Sequence, residues 1–149
     1  MAETFLYKRA TFVTRLPKNY LFSPSHYWLC PEDSGWRVGF TRFATRMLGD
    51  LVDHQFEKVA GDAIQSGEIL GSVEGFKAIS DLYAPLSGTF IEGNPLLLDD
   101  PEKITKDPYG DGWLFRAAGI PDERCGSWET YRDLLDATID KMLEKQSSE

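Results

Sequence analysis

Val73-Glu74-Gly75-Phe76-Lys77-Ala78-Ile79-Ser80-Asp81-Leu82-Tyr83-Ala84-Pro85-Leu86-Ser87-Gly88 is the stretch that decides how this chain folds. It sets one lysine between two segments that read as strands, with Glu74 three residues before it and Ala78 directly after. The closing Pro-Leu-Ser-Gly reads as a turn. A lysine at a hairpin tip is exposed and geometrically fixed, so a modifying enzyme can grip it.

Outward from the hairpin, residues 51–91 are short apolar segments punctuated by Gly61-Asp62, Ser66-Gly67, Gly71 and Ser87-Gly88. Short strands with regular glycine turns predict an all-β sandwich or barrel. The turn-and-strand units at 60–67 and 85–91 flank the hairpin and hint at quasi-symmetric halves. Toward the N-terminus, residues 27–29 and 36–40 read as strands around the turn-prone Pro31-Glu32-Asp33-Ser34-Gly35. Thr41 then suits the N-cap of a short helix that runs through Met47-Leu48 and stops at Gly49. Residues 1–23 mix basic and aromatic side chains and read as an arm packed on the single domain.

Beyond the hairpin, residues 94–104 are expected to hold a short helix or turn, and residues 112–116 a last strand after Pro108-Tyr109-Gly110-Asp111. Trp128, Tyr131, Leu134, Leu135, Ile139, Met142 and Leu143 recur at helical spacing behind the N-cap candidate Ser127. They predict an amphipathic C-terminal helix over 127–146 that packs on the β-domain; partner docking is the other role for such a face.

A chain of 149 residues with 42% hydrophobic content can bury a core as one domain. Its net charge of −8 argues against binding nucleic acid. The charge is uneven: residues 1–29 hold four basic side chains against one acid, and residues 92–149 seven against fourteen. Acidity suits docking onto basic patches of partner enzymes, and equally it keeps a protein in solution. Cys30 and Cys125 stand far apart, which favours a reducing compartment over a disulfide framework. No apolar run reaches transmembrane length, and residues 1–9 lack the apolar core of a secretion signal, so the cytoplasm is expected.

Other chemistry is sparse. His26 precedes two aromatics and reads as a packed, hydrogen-bonded histidine, and His54 as a surface residue. The histidines and cysteines lack zinc-like spacing. Cys125 lies just before the last helix, where the dipole can lower a thiol pKa; an unreactive loop thiol is the favoured reading.

The run Pro24-Ser25-His26-Tyr27-Trp28, then Val38-Gly39-Phe40-Thr41 and Leu48-Gly49-Asp50, the lysine hairpin, residues 94–104, and Asp107-Pro108-Tyr109-Gly110-Asp111-Gly112-Trp113-Leu114 occur in one order and spacing. Together they resemble the glycine cleavage H-protein family over residues 24–116. The resemblance implies a mostly β barrel-sandwich hybrid and a carrier rather than an enzyme. It further implies lipoate in amide linkage to Lys77, with Glu74 and Ala78 recognised by the lipoate-attaching enzyme, although Glu74 also suits a solvated strand-edge charge. The partners implied are a decarboxylase, an aminomethyltransferase and a lipoamide dehydrogenase, and a monomer suits such a shuttle.

In that family polar side chains shelter the loaded arm in a surface cleft, and Ser25 and Asp81 match this set. The family's acid between His and Trp is Tyr27 here, and a commonly polar position on the short helix is Met47. A cationic amine loses a counter-charge at the first and a hydrogen-bond partner at the second. A lipoate carrier of another pathway, such as sulfur oxidation through a heterodisulfide-reductase-like complex, is therefore a second expectation. An interaction module without the cofactor is a third.

Overall fold

Side chains alternate along a strand, and at residues 27–29 this sends Trp28 into one buried cluster and Tyr27 and Leu29 into another. Two cores on the two faces of one sheet follow from that alternation. The computed structural model describes residues 3–147. In chain order its elements begin with β1 (Thr4–Arg9), β2 (Phe12–Pro17), β3 (Leu21–Phe22), β4 (Tyr27–Glu32) and β5 (Gly35–Phe40). Helix α1 (Arg42–Leu48) leads to β6 (Leu51–Phe56), β7 (Ala63–Ile64), β8 (Ile69–Gly75), β9 (Ile79–Tyr83) and β10 (Leu86–Gly93). The chain closes with α2 (Leu96–Asp99), α3 (Lys103–Lys106), β11 (Phe115–Pro121) and α4 (Trp128–Ser147).

A six-stranded antiparallel sheet, in the order β3-β4-β5-β11-β10-β7, shares its inner core with the three-stranded sheet β6-β8-β9. Leu29, Val38, Phe90 and Phe115 from the first meet Leu51, Leu70, Val73 and Leu82 from the second. The fold is mostly β, as expected. The turn-and-strand units at 60–67 and 85–91 pair with each other: Gly88 stands opposite Ile64 and Thr89 opposite Ala63.

On the outer face of the larger sheet, Trp28, Phe22 and Trp113 join Phe12 and Leu16 of the β1-β2 hairpin and Tyr131, Leu135 and Ile139 of α4. Residues 1–23 were expected to form an arm. Their described part is the β1-β2 hairpin, followed by β3, which belongs to the main sheet through Leu21–Leu29 and Phe22–Trp28 pairing. Asp136 and Asp140 of α4 engage Arg9, and Asp136 accepts a hydrogen bond from Tyr7 Oη at 2.8 Å.

Residues 112–116 differ from expectation. The turn at 107–111 runs on through Gly112 and Trp113, whose N–H groups donate to Asp107 O (2.9 Å) and Gly110 O (3.3 Å). The strand therefore begins only at Phe115. Among the described residues, no helix is long and apolar enough to cross a membrane.

Candidate functional site: the lysine hairpin and its cleft

Strands β8 and β9 pair up to Glu74 and Ile79, and the Gly75 N–H donates to Ala78 O (2.9 Å) to close the turn. The tip rests on the end of α1. Lys77 N–H donates to Leu48 O (2.9 Å) and Phe76 N–H to Asp50 O (3.0 Å). Helix α1 ends there because Gly49, at φ 77°, takes a conformation few other residues adopt, while its N–H caps Thr45 O. Gly75 permits the close approach: a Cβ there would lie 2.2 Å from Leu48 O. The backbone of Lys77 is thus pinned by tertiary hydrogen bonds while its side chain is exposed, with Nζ donating to Arg46 O at 3.3 Å. The carbonyl end of a helix favours a cation.

Glu74 and Ala78 are exposed beside the lysine. Sequence reasoning did not single out Phe76 and Ile79, which are 78% and 74% exposed on either side of it. Large apolar side chains at a tip are unusual for a solvated turn. The readable signal was an aromatic residue set directly between Gly75 and Lys77.

Ser25, Tyr27, Met47 and Asp81, distant in sequence, line one cleft of about 280 Å³ together with Phe43 and Tyr83. Ser25 and Asp81 are exposed in it, and Met47 lies half-exposed. Tyr27 does not stand at the surface as a replaced counter-charge. It is buried, stacked on Phe40 with ring centroids 5.2 Å apart, and its Oη accepts the Tyr83 N–H at 2.9 Å. Burial pushes its phenol up to about 12, so it is a neutral floor at ordinary pH. Lys77 lines a separate concavity of about 440 Å³ with Arg42, Thr45 and Arg46, residues of α1 other than those facing the cleft.

His26 is packed as expected. Its Nδ1 lies 2.8 Å from Tyr131 Oη, which is 2.7 Å from Thr41 Oγ1, the N-cap of α1. Thr41 N–H in turn donates to His26 O (3.0 Å), so α4, β4 and α1 are joined in one network. Burial pulls the imidazole down from its ordinary value near 6.5 to about 4. Between those values the unfolded chain binds the proton and the folded chain does not, so stability is complete above the upper value and declines as pH falls through the window. The loss expected by the lower end is up to about 3 kcal/mol. Urea unfolding of wild type and His26→Asn between pH 7 and 4 checks this; asparagine tolerates the φ of 72°. The wild-type curve should fall more steeply, and parallel curves would refute the assignment.

Cys125 is half-buried, its thiol donating to Pro85 O at 3.7 Å, and burial pushes it up to about 11. That accords with an unreactive thiol. His54 is partly covered, edge-on to Phe56. Among the described residues no cluster of three or more His, Cys, Asp or Glu side chains could hold a metal ion.

Residues 20–138 match the family model described as Glycine cleavage H-protein. The chain belongs to the glycine cleavage H-protein family. It is 40% identical over 104 residues to the glycine cleavage system H protein of Rubrobacter xylanophilus, an alignment covering 70% of this chain and 82% of that one. Against the glycine cleavage system H protein of Shewanella denitrificans it is 37% identical over 128 residues, covering 83% of this chain and 98% of that one. The crystal structure of a glycine cleavage system H protein from Mycobacterium marinum superposes with a TM-score of 0.71 at 36% identity, covering 78% of this chain and 95% of that one. These names support the glycine-cleavage expectation and lend none to the sulfur-oxidation carrier. The β1-β2 hairpin lies outside the stretch that matches the family model.

Proposed function

We propose that this H-protein-family chain carries lipoate in amide linkage on Lys77 and serves glycine cleavage as a carrier, not as a catalyst. The observation that supports this most is the hairpin tip. Its backbone is bound to α1 and its lysine side chain is exposed beside an open concavity, an arrangement with room for an attached chain. An amide-linked lipoyl group supplies a strained cyclic disulfide that accepts electrons or a transferred group by thiol–disulfide exchange. The protein's part is to attach, orient and shelter it.

Amide formation removes the Lys77 charge yet leaves an N–H able to donate to Arg46 O. In the cleft, Asp81 offers a carboxylate and Ser25 a hydroxyl to a cationic cargo, while Tyr27 stays neutral and Met47 contributes an apolar wall. This leaves Asp81 as the counter-charge for an amine there. The proposed partners are a lipoate-attaching enzyme, a decarboxylase, an aminomethyltransferase and a lipoamide dehydrogenase. A net charge of −8 favours fast encounter with basic docking faces. A monomer in the cytoplasm completes the proposal.

Glycine-dependent bicarbonate exchange with the cognate decarboxylase tests the pathway: fully lipoylated protein should support exchange, and none at all would end the glycine assignment. Glu74, exposed on β8 beside the tip, is assigned to recognition by the attaching enzyme. Glu74→Ala should slow lipoate attachment about fivefold, the loss of ~1 kcal/mol expected for a charge at a contact rim. An unchanged attachment rate in a mass-spectrometric time course would make Glu74 a plain surface charge.

A further inference from the structure

Residues 10–12, outside the family match, help line an apolar pocket that shares Arg46 with the concavity around Lys77. It measures about 160 Å³ and lies between the β1-β2 turn, α1 and α4, walled by Phe12, Phe43, Met47, Ile139, Met142 and Leu143. Met47, Met142 and Leu143 are 49%, 36% and 42% exposed, so the pocket opens to solvent through apolar side chains. Arg46 connects it to the attachment point. Its carbonyl accepts Lys77 Nζ at 3.3 Å, and its guanidinium donates to Thr11 O (3.3 Å) and Thr11 Oγ1 (3.2 Å) while lying 5.7 Å from the Phe12 ring centre.

We propose that this pocket is the berth for the dithiolane end of the lipoyl arm, an inference that rests on the carrier reading of Lys77. Size, chemistry and position agree. An apolar cavity of about 150 Å³ lined by Leu, Ile and Phe takes up benzene, so a small dithiolane ring fits this one. The ring is uncharged and polarisable, and Met47, Met142, Phe12 and Phe43 offer the sulfur and aromatic surfaces that such a group prefers. Of the two cations at the pocket's edge, Arg9 is paired with Asp136 and Asp140, and Arg46 donates to Thr11 and lies over the Phe12 ring. The neighbouring cleft shares Phe43 and Met47 but adds Asp81 and Ser25, which suit a charged end instead. Met47 thus divides an apolar berth for the empty arm from a polar one for the loaded arm. Ala10, Thr11 and Phe12 of the β1-β2 hairpin, outside the stretch that matches the family model, supply one wall.

The full chain, with and without lipoate on Lys77 and with intact mass recorded on each sample, tests this by heteronuclear NMR. Lipoylation should shift signals of Thr11, Ile139, Met142 and Leu143 as well as those of the tip. Leu143→Glu should abolish the distant shifts while the adduct mass and thermal midpoint stay as in wild type, and Met142→Lys serves if the first variant unfolds. Phosphine reduction of the dithiolane should be about threefold faster in the variant, as expected if only roughly a third of wild-type arms are free at any moment. A present adduct whose shifts are confined to the tip, or to Ser25, Tyr27 and Asp81, overturns the berth alone. Absence of the adduct overturns the carrier reading, and the berth with it.

Discussion

Lys77→Ala is expected to abolish lipoyl addition completely and leave the fold at close to wild-type stability. The hydrogen bonds that hold the tip on α1 come from the backbone N–H groups of Phe76 and Lys77, and alanine keeps both. The substitution removes only an exposed side chain and its contact to Arg46 O, so the stability change should stay within about 0.5 kcal/mol. Lys77→Arg separates charge from chemistry, because it keeps a cation at the tip but offers no amine for the amide. Intact mass after incubation with lipoate and its attaching enzyme should show the adduct on wild type and on neither variant, with thermal midpoints unchanged. An adduct that survives Lys77→Ala would move the attachment site elsewhere and remove the basis for the carrier proposal.

The largest effect on stability is expected from Trp28→Ala. Trp28 is fully buried in the outer core, where its ring lies 4.9 Å from that of Tyr20 and its Nε1 donates to Pro108 O at 2.8 Å. The ring sits so close to β5 that a Cβ on Gly39 would come within 2.5 Å of it. Truncation opens a cavity that this backbone cannot collapse to fill, and it leaves the Pro108 carbonyl without its donor. The expected cost is about 3–5 kcal/mol, a large part of the stability of an ordinary domain. Because Tyr27 and His26 are neighbours of Trp28 in the chain, the cleft floor should loosen as well. Urea unfolding measures the loss, and a change below about 1 kcal/mol would show that the outer core repacks freely.

Much of this was legible in the chain. The lysine hairpin appears as two strand-like runs around Gly75-Phe76-Lys77-Ala78, and β8 and β9 stand where they were expected. Helix α1 announces both ends through Thr41, whose Oγ1 accepts the Ala44 N–H, and through Gly49. The apolar spacing of Tyr131, Leu135 and Ile139 predicted the buried stripe of α4. These features obey local rules of turns, caps and periodicity. The β1-β2 hairpin was less legible, because its role depends on a surface supplied by α4 more than a hundred residues later. The turn at 107–113 ran past its expected end for a similar reason: Gly112 and Trp113 bond back to carbonyls within the turn and not to a neighbouring strand.

The site divides in the same way. Lys77 drew attention through the hairpin around it, whereas Ser25, Asp81, Tyr27 and Met47 were implied only by the resemblance to the H-protein family. Whether they meet, and how they point, was settled only by the folded molecule. Strand alternation turns Tyr27 inward, where its hydroxyl accepts the Tyr83 N–H, and the tip is pinned because Leu48 and Asp50 present free carbonyls to it. Every residue carries a carbonyl, and every residue but proline an amide N–H, so no letter of the sequence marks the ones that bind the tip. The sequence by itself determined which group would be presented; tertiary structure decided the rigid support beneath it and the shape of the clefts around it.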